Sequence, residues 1–109
     1  MKLNDYQELA RKTAVYPSDS QVIYPVLGLA GETGEVCEKV KKQIRDKDGD
    51  LNDKKFLTEV GKELGDVLWY VSNLASDLQL DLETIAKGNI DKLYSRKERG
   101  TLQGSGDNR

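Results

Sequence analysis

Glu32 with Glu35, and Glu63 with Asp66, form two acidic pairs, each with a spacing of three inside a strongly helical stretch. At that spacing both members of a pair share one helix face. Twenty-seven residues separate Glu35 from Glu63, enough to finish one helix, turn and return antiparallel. Four carboxylates would then converge between two helices. Such a cluster repels itself unless a hard cation neutralises it, so the pattern predicts a divalent-metal site. The plain alternative is a set of solvated carboxylates with lysine partners, and two matched pairs on consecutive helices weigh against it. The chain has no histidine and one cysteine, so any metal here must be held by oxygen. Gly34 and Gly65 each lie inside a pair. Glycine there costs about 1 kcal/mol of helix stability relative to alanine, a cost that close approach of a backbone or ligand would explain.

A second constellation is basic. Asn89, Lys92, Arg96 and Arg99 follow spacings of three, four and three and form one polar stripe on a helix. It reads either as a solvated face with cations near a helix C-terminus or as a clamp for phosphate oxygens. An acidic metal cluster combined with a basic stripe suits a polyphosphate, whose oxygens the cations and the metal would share. Asp48, Asp50, Asn52 and Glu59 also fall on ligand positions of a calcium loop. Asp53 replaces the glycine that loop needs, so a polar turn capped by Asp53 explains the same residues. Trp69 and Cys37 sit at helical spacing within apolar stripes and read as packing residues.

The elements that must position these groups are all helical. Strand signals are absent, and helical periodicity predicts a helix over about Asn4 to Val15 with Asn4 as its N-cap. A second begins within Val22 to Pro25, where proline is tolerated in a first turn, and continues through Ile44 to a polar turn over Asp46 to Asp53. A third runs from about Lys54 to Gln79, and a fourth from about Leu82 to Arg99, capped by Asp81 and stopped by Gly100. The expectation is a single all-α domain over 1–109, four-helix bundle-like, with a flexible glycine-rich tail over 100–109. Val22 to Ala30 and Val67 to Ala75 are apolar beyond one stripe, more than a lone domain of this size can cover, which predicts a homo-oligomer.

Composition excludes several classes. A net charge of −2 gives no general attraction to nucleic acid, and no apolar run is long enough to span a bilayer. A single cysteine excludes an intrachain disulfide and suits a reducing cytoplasm.

At these residues the chain resembles the MazG-like branch of the all-α nucleotide pyrophosphohydrolases. The matching blocks are the stretch from Gly28 through Glu32 and Glu35 to Val36, that from Lys62 through Glu63 and Asp66 to Trp69-Tyr70, the block Asn89–Lys92–Arg96, and the Gly104-Ser105-Gly106-Asp107 tail. With the opening from Tyr6-Gln7 to Tyr16-Pro17 they cover nearly the whole chain. Gly31 stands where many members carry a further glutamate just before the first pair. The resemblance implies hydrolysis of nucleoside triphosphates to monophosphate and pyrophosphate with Mg2+, Mn2+ serving as a substitute. It implies a homodimer or dimer-of-dimers tetramer with sites near the subunit interface. By matching position Glu32, Glu35, Glu63 and Asp66 would be metal ligands, while Asn89, Lys92 and Arg96 would contact phosphate. Glu35 would orient or deprotonate the attacking water, and Lys92 would offset charge on the leaving group. The contrasting readings are a non-catalytic nucleotide- or metal-binding module and a structural helical assembly protein.

Overall fold

The computed structural model describes all residues 1–109. It has four α-helices and no strand: α1 (Leu3–Arg11), α2 (Ile23–Asp46), α3 (Lys54–Asp77) and α4 (Leu82–Glu98), with a 3₁₀ turn at Ser18–Ser20. α2 and α3 pack against each other as a long hairpin, α1 lies on α3, and α4 packs chiefly on α1.

Side-chain caps explain most of the boundaries. The Asp53 carboxylate accepts from the Phe56 N–H at 2.9 Å and starts α3, a cap worth about 1 kcal/mol. Asp81 accepts from the Thr84 N–H at 2.9 Å and starts α4 as its sequence predicts. Pro25 lies in the first turn of α2, where its missing N–H has no helical partner to lose. α3 ends with Gln79 in the left-handed region (φ 60°). There Leu80 N–H donates to Ala75 C=O and Gln79 N–H to Ser76 C=O, closing the last carbonyls. α4 stops in the same way, with Gly100 at φ 71° and Thr101 N–H donating to Arg96 C=O at 2.8 Å.

Two expectations at the start of the chain need correction. The N-cap of α1 is Lys2, whose N–H donates to the Asp5 carboxylate at 3.0 Å. Asn4 instead accepts from Glu83 N–H at 3.0 Å, tying the start of α1 to the start of α4. The helix also ends at Arg11, short of Val15, because the Thr13 hydroxyl donates to Ala10 C=O and the chain turns. Gln7 completes the tie: its Nε2 donates to Leu80 C=O at 2.9 Å and to the Ser76 hydroxyl, and its Oε1 accepts from Leu82 N–H at 2.9 Å.

The segment between α1 and α2 is held by Asp77, whose side chain is wholly buried. It accepts from the Tyr16 hydroxyl and from Val22 N–H, both at 2.8 Å, and pairs with Arg11 at 2.8 Å. Val22 is the centre of a γ-turn, with φ 69° and Ile23 N–H donating to Gln21 C=O at 2.8 Å. A β-branched residue there is strained, and the Asp77 hydrogen bond is the contact that holds it.

One chain buries little. Only nine residues are buried, among them Ala10, Phe56, Ser72, Asn73, Ala75 and Leu82. Leu27, Leu64 and Leu68 stay exposed, and so does Cys37, which finds no packing partner within its own chain. No helix is long and apolar enough to cross a membrane.

Candidate functional site

Glu32 comes from the third turn of α2, and Glu63 and Asp66 from the middle of α3, facing it across the hairpin. One carboxylate oxygen from each of the three lies within 4.8 Å of the other two. Glu32 and Glu63 are half-buried at the seam and Asp66 is exposed at its mouth. Burial, followed by the neighbouring Glu63, Asp66 and Glu35 carboxylates, pushes the Glu32 carboxyl above its ordinary range. No cation from the chain pairs with any of the three; the hairpin's own ion pair, Lys39 with Glu59 at 3.7 Å, is formed by other residues. Three converging hard oxygens with unbalanced charge suit a divalent cation such as magnesium.

Glu35, the fourth acidic residue of the predicted set, is exposed and stands outside this close group, near enough to act on Glu32 through its charge. Gly34 and Gly65 have open space where a side chain would begin. The close approach expected there does not occur within one chain. Gly28 is the glycine that packing requires, since a β-carbon at that position would overlap the Tyr70 ring.

That ring belongs to an aromatic wall that sequence reasoning did not assemble. Tyr16 stacks on Tyr24 at 4.8 Å, Trp69 meets Tyr70 edge-on at 5.0 Å and Tyr16 at 6.4 Å. Trp69 Nε1 donates to the Thr13 hydroxyl at 2.7 Å, so its indole is fixed. The wall adjoins the carboxylates: burial, then Tyr24, Glu32 and Asp66, push the Tyr70 phenol up. Burial and then Asp66 do the same to Tyr6. The signal was present in the Tyr16, Tyr24, Trp69 and Tyr70 letters, but their convergence depends on the fold of the 12–22 segment.

The predicted basic stripe lies apart on α4. Asn89 is exposed. Lys92 is half-exposed, with its Nζ 3.1 Å from the Asp107 carboxylate. Arg96 is buried and its Nη2 donates to Asp107 C=O at 2.7 Å. Because α4 packs chiefly on α1, the stripe does not line the α2–α3 seam beside the carboxylates of its own chain.

Comparison with known proteins bears on what such a seam does. Residues 24–101 match the model of the MazG nucleotide pyrophosphohydrolase domain, a span that contains all three converging carboxylates and the whole of α2, α3 and α4 but for the first residue of α2. The chain is also 46% identical over 115 residues to the Gene 37 protein of Mycobacterium phage L5, with both proteins covered in full. No solved structure matches the chain.

Proposed function

Because the chain belongs to the MazG nucleotide pyrophosphohydrolase domain family, we propose that it hydrolyses (deoxy)nucleoside triphosphates at the α–β linkage, releasing nucleoside monophosphate and pyrophosphate. The observation that carries this reading is the convergence of Glu32, Glu63 and Asp66 within 4.8 Å, with no cation of the chain to balance them. These three, with Glu35 beside them, would hold Mg2+, or Mn2+ in its place. When bound, the ion supplies positive charge against the triphosphate oxygens and polarises the phosphorus under attack.

The chain's own residues do the rest. Glu35, exposed at the rim and outside the close group, is free to orient a water or take its proton as that water attacks the α-phosphorus. Lys92 and Asn89 would donate to phosphate oxygens, with Lys92 offsetting charge on departing pyrophosphate. Arg96, expected beside them, gives its guanidinium to main-chain oxygens and would act by supporting that end of α4. Tyr24 and Tyr70 offer π-faces next to the carboxylates, suited to stacking on a base.

The same reading makes the working unit a homodimer, or a tetramer built of two dimers. A compact chain of this size would expose about 6,000 Å², against 7,998 Å² here. The excess is about 1,900 Å² per chain, the scale of an obligate interface. A second copy covering Leu27, Leu64, Leu68 and Cys37 would also bring its basic stripe to the first copy's carboxylates.

The direct test is to separate the products of a panel of nucleoside triphosphates by ion exchange, with magnesium and with chelator. The expected result is magnesium-dependent monophosphate and pyrophosphate. Diphosphate with orthophosphate would place the cut elsewhere. Magnesium binding without products would make the domain a binding module.

A further inference from the structure

The stop of α4 is complete by Thr101, whose N–H has closed the Arg96 carbonyl. The residues that follow make contacts that this stop does not need. Arg109 folds back and ties the segment together, its Nε donating to Thr101 C=O at 3.1 Å, its Nη1 to Gly106 C=O at 2.6 Å and its Nη2 to Leu102 C=O at 3.0 Å. Arg96, 4% exposed, holds the far side through Asp107 C=O at 2.7 Å and Gly106 C=O at 3.5 Å. Its Nε is buried without a partner, so every hydrogen bond of this guanidinium goes to the 106–107 backbone or the Asp107 carboxylate. A buried arginine committed in this way fixes where residue 107 lies, and residue 107 points its carboxylate at Lys92 Nζ, 3.1 Å away.

We propose that residues 101–109 form a built turn whose task is to place Lys92, and that Asp107 is the positioning residue that does so. Lysine carries its charge on a flexible four-carbon stem and loses much rotamer freedom when it grips a ligand. An ammonium has three donors, so one hydrogen bond to Asp107 orients it and leaves two for phosphate oxygens. Lys92, and then Arg96, hold the Asp107 carboxyl below its ordinary range, so the orienting charge is present at neutral pH. The inference rests on the reading of Lys92 as a phosphate contact.

The test is a double-mutant cycle on the full chain, with magnesium and the nucleoside triphosphate that the wild type cleaves fastest. Asp107→Asn is expected to lower kcat/KM about three- to ten-fold, with kcat falling as well as KM rising because Lys92 acts on the leaving group, the size of effect one coupled polar pair commonly carries. Asp107→Glu should recover most of the loss, and Lys92→Ala with Asp107→Asn should be no worse than Lys92→Ala alone. Thermal midpoint and magnesium binding should stay at wild-type values for Asp107→Asn, since that side chain is 83% exposed. Wild-type kinetics in Asp107→Asn beside an impaired Lys92→Ala would overturn the positioning role and spare the reading of Lys92. Additive losses in the double variant, or a lowered KM in Asp107→Asn, would overturn it as well, the latter by making the carboxylate a competitor of phosphate. Wild-type behaviour of Lys92→Ala would sink the phosphate reading itself.

Discussion

Glu32 is the residue on which the site's electrostatics turn. Its carboxyl is pushed up by burial and by three neighbouring carboxylates. A group whose folded value lies above its unfolded one favours the folded state at low pH, and that contribution is lost as pH rises through the raised value. The metal-free protein should therefore lose stability as pH climbs out of the ordinary glutamate range towards neutrality. In chelator at neutral pH, Glu32→Gln should melt no lower than wild type. Added magnesium should stabilise the wild type by about 2.7 kcal/mol at a hundred times its dissociation constant, raising its midpoint, and leave Glu32→Gln nearly unmoved. Thermal scans across pH with and without magnesium check both parts. Glu35 is argued differently, from its place outside the cluster. Glu35→Gln should lower kcat at least about ten-fold, the low end of what a general base contributes being larger still, while the magnesium-induced shift persists. Full turnover with saturating metal would remove Glu35 from the water's path. The acidic pairs were legible because a spacing of three on a helix is a local fact. The aromatic wall was not, because Tyr16 reaches Trp69 only through the long-range fold of its loop.

At the scale of elements, the helices follow from capping chemistry written next to each boundary. Asp53, Asp81 and Gly100 act where their sequence neighbours say they should. The first helix departs from its expected bounds for one long-range reason and one local one. Asn4 looks like a cap and is instead a clasp on α4, and Thr13 bends the chain that periodicity alone would have carried to Val15. The element junction most open to test is Asp77. Burial by itself would raise its carboxyl, but Val22 N–H, Tyr16 and Arg11 together outweigh it and hold the group below its usual range. Its contribution is present above the ordinary aspartate pKa and is lost as pH falls through the depressed value. Asp77→Asn should cost about 3 kcal/mol, since it strands the charge of Arg11 and releases the strained Val22 turn. Urea unfolding at neutral pH and at pH 3 measures this, with a smaller difference between the two proteins expected in acid. An unchanged midpoint at neutral pH would show that the turn is held by other contacts.

The molecule as a whole is more open than a compact domain of its length. Its radius of gyration is 16.9 Å, against about 13 Å for a compact domain of this length. The exposed leucines of α2 and α3 and the packing of α4 on α1 are the features that the proposed second copy would account for. The double-faced apolar stretches made that exposure legible in the sequence. The packing of α4 on α1 could not be read there, because it depends on hydrogen bonds between the Asn4 and Gln7 side chains and backbone groups 73 to 79 positions away. Light scattering should give a mass twice or four times that of one chain. Leu27→Lys should reduce that mass and abolish turnover together while helical circular dichroism remains. A single-chain mass with full activity would refute a shared site. The central claim, that water attacks the α-phosphorus at this acidic seam, is tested most directly by one turnover experiment in ¹⁸O-labelled water with magnesium, reading the products by mass. The account predicts the label in the nucleoside monophosphate and none in pyrophosphate, with no labelled product from Glu63→Gln. Label in pyrophosphate or orthophosphate would contradict it.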